Sequence, residues 1–180
     1  MQDHGLPAWR VGQWVRYDVT SRGRSWLVEY ALVGKERNGG SQLFWLEARR
    51  FDSGDSLFVK CLVPTGLDGP AEQVLVGGTG LKCRLSVEGT SLPWSAAGSP
   101  TSTGKRQRPA LVEELETPAG RFSSKKYGCP YGEIWLNPRV PVFGIVRSKS
   151  DDLEMLLVAY GLKGATSELR GAPDTEAVIY

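Results

Sequence analysis

Alternation of apolar and polar residues dominates this chain and predicts strands. From Gln13 to Thr20, the residues Val15, Tyr17 and Val19 share one face. Ser21-Arg22-Gly23-Arg24 turns the chain. Ser25 to Arg37 returns with Trp26, Val28, Tyr30 and Leu32 on one side. Asn38-Gly39-Gly40 offers residues that tolerate positive φ, which tight hairpins need. Gln42 to Phe51 reads as a third strand, Asp52-Ser53-Gly54-Asp55 as a turn, and Ser56 to Val63 as a fourth strand. In the third strand Leu43 and Trp45 oppose Phe44 and Leu46. A sheet covered on both faces, or a curved sheet with something packed outside it, gives this pattern. Leu81, Cys83, Leu85 and Val87 alternate with Lys82, Arg84 and Ser86, as in a half-buried strand.

The pattern resumes at Ala110. Thr117-Pro118-Ala119-Gly120 reads as a hairpin: proline presets φ and glycine takes the left-handed position, as in a type I turn with a bulge. Two segments admit both periods. Pro70 to Val76 fits a short proline-started helix or a strand. Asp151 to Tyr160 fits a helix through Leu153, Leu156, Leu157 and Tyr160, or a strand through Leu153, Met155, Leu157 and Ala159. Its surroundings are β, so a strand is expected. Gly89 to Pro109 is dominated by Ser, Thr, Gly and Pro and reads as a long exposed loop. The expected layout is a flexible leader at 1–9, one β domain over 10–170 with the 89–109 loop inserted, and a tail at 171–180. No internal repeat is visible.

Composition adds bounds. The chain has 180 residues, 41% hydrophobic and 23% charged, enough for one domain with a sizeable core. A net charge of +2 argues for neither nucleic acid nor a membrane surface. The basic pairs Arg22/Arg24, Arg49-Arg50 and Lys125-Lys126 and the run Lys105 to Arg108 read as a solvated rim. No apolar run approaches the ~18 residues that cross a bilayer. Met1 to Gly5 lacks the basic and apolar regions of a signal peptide, which fits a cytoplasmic chain or one whose leader was removed. Cys61, Cys83 and Cys129 form no C-x-x-C pair. Cys61 and Cys83 read as small buried hydrophobes, or as a disulfide in an oxidising compartment.

Motifs that spell chemistry lack their partners. Gly54-Asp55-Ser56-Leu57 matches an esterase nucleophile block, but the sole histidine is His4, in the leader. Gly98 to Lys105 has the wrong spacing for a phosphate loop, and Arg106 stands where a Ser or Thr would hold magnesium. Gly77 to Gly80 lacks dinucleotide spacing. Ser123 and Lys126 match a serine–lysine pattern that belongs at the start of a buried helix, here on an expected strand. Glu113 should point away from Glu114 and Glu116. No His, Cys and acid cluster has metal-ligand spacing, so neither metal nor cofactor is expected. The reading is of a protein that is not an enzyme.

Three blocks carry a family resemblance: Gly12 to Tyr17, Thr117 to Phe122, and Glu133-Ile134-Trp135-Leu136 followed by Val140-Pro141 and Gly144-Ile145-Val146. In order and spacing they resemble the LolA/LolB-like lipoprotein-carrier superfamily of the bacterial envelope and its relatives. The resemblance implies an all-β fold: a curved antiparallel sheet, an unclosed half-barrel, with one or two short helices as a lid. It implies an apolar concave face that holds an acyl chain, each buried methylene contributing ~0.8 kcal/mol. The trough residues would be Trp26, Val28, Tyr30, Leu57, Val59, Leu81, Leu85 and Trp135. The implied partner is a lipid or lipidated protein, and the implied place is the periplasm or cell envelope. The alternative is a scaffold whose core is filled by its own side chains and which recruits an envelope protein.

Overall fold

Two-residue turns set the layout of the first half. Arg22-Gly23 joins β1 (Trp14–Ser21) to β2 (Arg24–Asn38), with φ of 49° and 76°. Gly39-Gly40 joins β2 to β3 (Ser41–Phe51) in the same way, at 55° and 85°. Turns with both central residues left-handed match the twist of the strands they connect. The computed structural model describes residues 7–51, 56–67, 71–78, 81–86, 111–129, 132–169 and 175–178, with side chains for all of these except 56, 66, 81–86, 129 and 175–178. The expected loop at 89–109 lies outside the described residues.

The meander continues through β4 (Ser56–Pro64), β5 (Gln73–Gly78) and β6 (Leu81–Ser86). A second meander runs through β7 (Leu111–Thr117), β8 (Gly120–Cys129), β9 (Gly132–Leu136), β10 (Ile145–Lys149) and β11 (Leu153–Gly161). In the two segments of ambiguous period, Gln73 to Val76 and Leu153 to Tyr160 are strand. β1 pairs antiparallel with β11 and fuses the two meanders into one sheet, ordered β12-β6-β5-β4-β3-β2-β1-β11-β10-β9-β8-β7. The sheet is all but entirely antiparallel. The exception is β12 (Thr175–Val178), which lies parallel to β6 where a tail was expected. Among the described residues the helical content is one 3-10 turn, Thr65–Leu67, and no lid helix appears.

The sheet is bent and does not close. β-Bulges interrupt the register at Arg16/Tyr17, Leu32/Gly34 and Ile145/Arg147, and each adds local twist and a kink. At the far end β7 curls back to approach β11, and Phe122 on β8 packs against Tyr160 on β11 with centroids 6.1 Å apart.

The inner face carries the core. Val15, Tyr17 and Val19 meet Val28 and Leu32, then Phe44 and Leu46, Cys61 and Val63, and Val74 across β1 to β5, with Met155 and Leu157 from β11. The outer face buries Leu43, Leu62 and, without any exposure, the carboxylate of Glu47. Arg49 donates to Glu47 (Nε to Oε1, 2.9 Å), as does the backbone N–H of Glu168 (3.0 Å). The Ser167 hydroxyl donates to Glu47 Oε2 (2.6 Å). Arg49 also pairs with Glu29 and Glu168, each at 3.4 Å, and donates to the carbonyl of Thr166. Arg16 donates to Glu29 across β1 and β2 (2.7 Å), and Lys60 donates to Ser167 (3.1 Å). The segment 165–169 is thus strapped over the outer face by a buried charge that would otherwise lack partners.

Candidate functional site

Cross-strand register gathers most of the expected trough. Tyr30 lies opposite Ala48, Ala48 opposite Val59, and Val59 opposite Val76. One step along, Val28 faces Arg50, and Arg50 faces Leu57. Trp26 sits beside Val19, with the Arg50 guanidinium 4.6 Å from its ring centroid. Trp26, Val28, Tyr30, Leu57 and Val59 therefore share one surface of β2 to β4. Leu81 and Leu85 lie on β6 opposite Gly78 and Val74.

Trp135 is elsewhere. Its register partners are Lys126 and Arg147, on the face opposite Ile134 and Ser148. Its indole N–H donates to Glu113 (2.7 Å), and the Lys126 ammonium and Arg147 guanidinium stand 4.9 and 5.2 Å from its ring centroid. Glu133, hydrogen-bonded to Lys126, is the main cause of a raised ammonium pKa there, with Glu113 adding to it. This is an amphipathic cluster roofed by charge. It takes no part in the trough.

The hollow in front of Tyr30 is occupied by the chain itself. The segment between β9 and β10 buries Val140, Pro141 and Val142 there. Phe143 meets Tyr30 edge-on at 5.0 Å. Trp9 meets Phe44 edge-on at 5.5 Å and donates its indole N–H to the Val142 carbonyl (2.6 Å). Residues 7–9, expected within a flexible leader, are thus docked. The Tyr17 hydroxyl, beneath this layer, donates to the Ile145 carbonyl (3.1 Å). Val142 has φ of 65°, and Phe143 N–H donates to Pro141 O (2.9 Å). Together these make a γ-turn of the rare, strained kind, here on a β-branched residue. Such strain persists only where neighbours over-determine it. No local sequence signal announces this plug, because the contacts that seat it, Trp9 to Val142, Tyr17 to Ile145 and Tyr30 to Phe143, join residues more than a hundred positions apart.

The open part of the inner face is the end carrying Leu57, which is 50% exposed, with Trp26 and Val59 only partly buried. Among the described residues the chemical motifs do not assemble. Ser123 and Lys126 fall on opposite faces of β8, and Glu113 is engaged by Trp135 and Lys126. Gly54 and Asp55 lie outside the described residues. Cys61 is a free, buried thiol. It sits on β4, and Cys83 on β6, with β5 between them. Two strand spacings, with a two-residue offset in register, put their Cα atoms more than ~9 Å apart, beyond disulfide reach.

Burial of protonated groups sets an alkaline limit on stability. Desolvation pushes the Cys61 thiol from 9.0 up to about 12. It also raises the Tyr17 phenol, with Tyr30 beside it adding to the effect, and raises Tyr30 itself. For groups raised by folding, the contribution is complete below the unfolded pKa and is lost as pH climbs to the folded one. Stability should therefore be flat near neutrality on this account and fall from about pH 9 upward. Urea midpoints measured from pH 7 to 11 check this. In Cys61→Ala the part of the fall that begins near pH 9 should shrink, leaving the phenols' part from pH 10.

No family model matches the chain, and no curated protein matches it. Among solved structures it is similar to a Parabacteroides distasonis protein described as a "putative lipoprotein", at 12% identity and a TM-score of 0.40, over 87% of this chain and 98% of that one. A likeness of that degree decides neither fold nor function.

Proposed function

We propose that this protein is a non-catalytic β scaffold of the bacterial cell envelope, filled by its own side chains, whose outer surfaces recruit a protein partner. One observation carries the reading: Trp9, Val142 and Phe143 lie where a half-barrel carrier would hold an acyl chain, packed on Phe44 and Tyr30. The envelope setting rests on the resemblance of the blocks Gly12 to Tyr17, Thr117 to Phe122 and Glu133 to Val146 to lipoprotein carriers. A second reading is favoured by the exposure of Leu57 beside Trp26 and Val59. There the open end of the inner face takes an apolar ligand such as one acyl chain.

Native mass spectrometry with lipid extraction separates the two. The scaffold reading expects bare protein, and little fluorescence from an apolar dye. Trp9→Ala should cost ~2–4 kcal/mol, because Trp9 is half-buried and hydrogen-bonded, and should raise dye binding by opening the hollow. An acyl chain that co-purifies at one per protein and is lost in Leu57→Asp would replace the scaffold reading with the second.

A further inference from the structure

A cleft of about 470 Å³ opens where the N-terminal segment, the β9–β10 segment and the end of β11 meet. Arg10, Arg139 and Tyr160 line it, with Pro138, Pro141 and Leu162 as apolar wall, and no acidic residue takes part. Its two arginines are held in the same manner. The carboxamide of Gln13 accepts the backbone N–H of Arg10 (2.9 Å) and donates to the Ala8 carbonyl (3.2 Å). The carboxamide of Asn137 accepts the backbone N–H of Arg139 (2.9 Å) and donates to the Ser123 carbonyl (2.7 Å). Gln13 and Asn137 are both buried, at 5% and 6% exposure. Each arginine thus leaves a backbone fixed from beneath.

Neither guanidinium has an ion-pair partner among the described residues. That of Arg139 lies 5.8 Å from the Phe122 ring centroid. Many other arginines of this chain, among them Arg16, Arg49 and Arg147, are matched to carboxylates. Two guanidinium forks without a counter-charge, carried on fixed backbone beside an apolar wall in a cleft of ligand size, suit one kind of guest.

We propose that this cleft binds a small organic anion: a phosphate or carboxylate held by Arg10 and Arg139, on an apolar body lying against Pro138, Pro141 and Leu162. The site is separate from the inner face and does not depend on the scaffold reading. The anion can belong to a free molecule or to a lipid headgroup.

The probe is hexyl phosphate, titrated calorimetrically into the full chain, with inorganic phosphate for comparison. Saturable binding is expected, weakening as salt rises. Inorganic phosphate should bind more weakly by on the order of tenfold, since it lacks the apolar body. The double variant Arg10→Gln/Arg139→Gln should lose on the order of tenfold or more in affinity, with its melting temperature unchanged because both side chains are exposed. Arg24→Gln/Lys35→Gln, which removes two charges elsewhere, should bind as the parent does. Sedimentation with phosphatidylglycerol or phosphatidylcholine vesicles assigns the source. Arginine-dependent binding to the anionic vesicles places the anion on a lipid, and hexyl phosphate binding without vesicle binding places it on a free molecule. No saturable binding in either format, or binding that survives the double variant, overturns the proposal.

Discussion

Arg49→Ala is expected to lower the unfolding free energy by ~3–5 kcal/mol, the range seen when one partner of a buried ion pair is removed. The guanidinium is 11% exposed and stands between two carboxylates, Glu47 at 0% and Glu29 at 9%. Alanine would leave Glu47 without its cation, while Glu29 would keep Arg16. Glu47 keeps the Ser167 hydroxyl and the Glu168 N–H, but these are dipoles and cannot replace a charge. Arg49→Lys should recover only part of the loss. One ammonium cannot reproduce the planar fork that reaches Glu47, Glu29, Glu168 and the Thr166 carbonyl together. Urea unfolding measures the stability. Limited proteolysis between Ala165 and Leu169 measures the strap, which should be cut faster in the variant. A change under ~0.5 kcal/mol, the size of an ordinary surface substitution, would show that the row contributes nothing.

Gly132→Ala should be nearly as damaging, at ~3–5 kcal/mol, the sum of a backbone penalty and an overpacking penalty. Gly132 opens β9 with φ of 147°, in territory that L side chains rarely adopt. A Cβ there would fall 2.0 Å from the Lys149 carbonyl oxygen and 2.9 Å from Ser150 Cα. Both are backbone atoms at the end of β10, so no side chain can swing aside. The strands would have to part where Glu133 pairs with Lys149. Thermal melts and amide exchange across β9 and β10 check this. A variant with parent-like stability and unchanged protection at Lys149 would mean the close approach is not kept in solution.

Strands such as β1 and β2 were legible because alternation along them is strict enough to fix a face. Val15/Tyr17/Val19 and the row from Trp26 to Leu32 lie as the pattern requires, and Asn38-Gly39-Gly40 turns as its chemistry requires. The opposed pairs Leu43/Trp45 and Phe44/Leu46 also announced a sheet packed on both sides, and Leu43 and Leu46 are both buried. What failed was long-range. Ile134 and Trp135 are adjacent and both apolar, so no local rule says which faces inward. Pairing with β8 and β10 decides it, and a bulge at Ile145/Arg147 shifts that pairing. Trp9 follows a proline outside any alternating run and looked free, although its dock on Phe44 and Val142 gives the inner face much of its filling. Glu47 read as an ordinary strand residue, because its partners Ser167 and Glu168 lie about 120 residues further along the chain. The arginine cleft was invisible for the same reason: Arg10 and Arg139 meet only through the fold.

The seam between β1 and β11 also governs how the molecule must be made. Trp14 pairs with Gly161, so one long edge of β1 stays bare until β11, about 130 to 150 residues later, has left the ribosome. Contacts this distant close slowly, because the intervening loop's entropy is lost before any pairing repays it. A nascent chain of the first six strands would display an unpaired, apolar border that invites wrong partners. Vectorial synthesis therefore cannot complete this architecture piece by piece, and the polypeptide remains unfinished, and suited to holding by a chaperone, until its last long strand arrives.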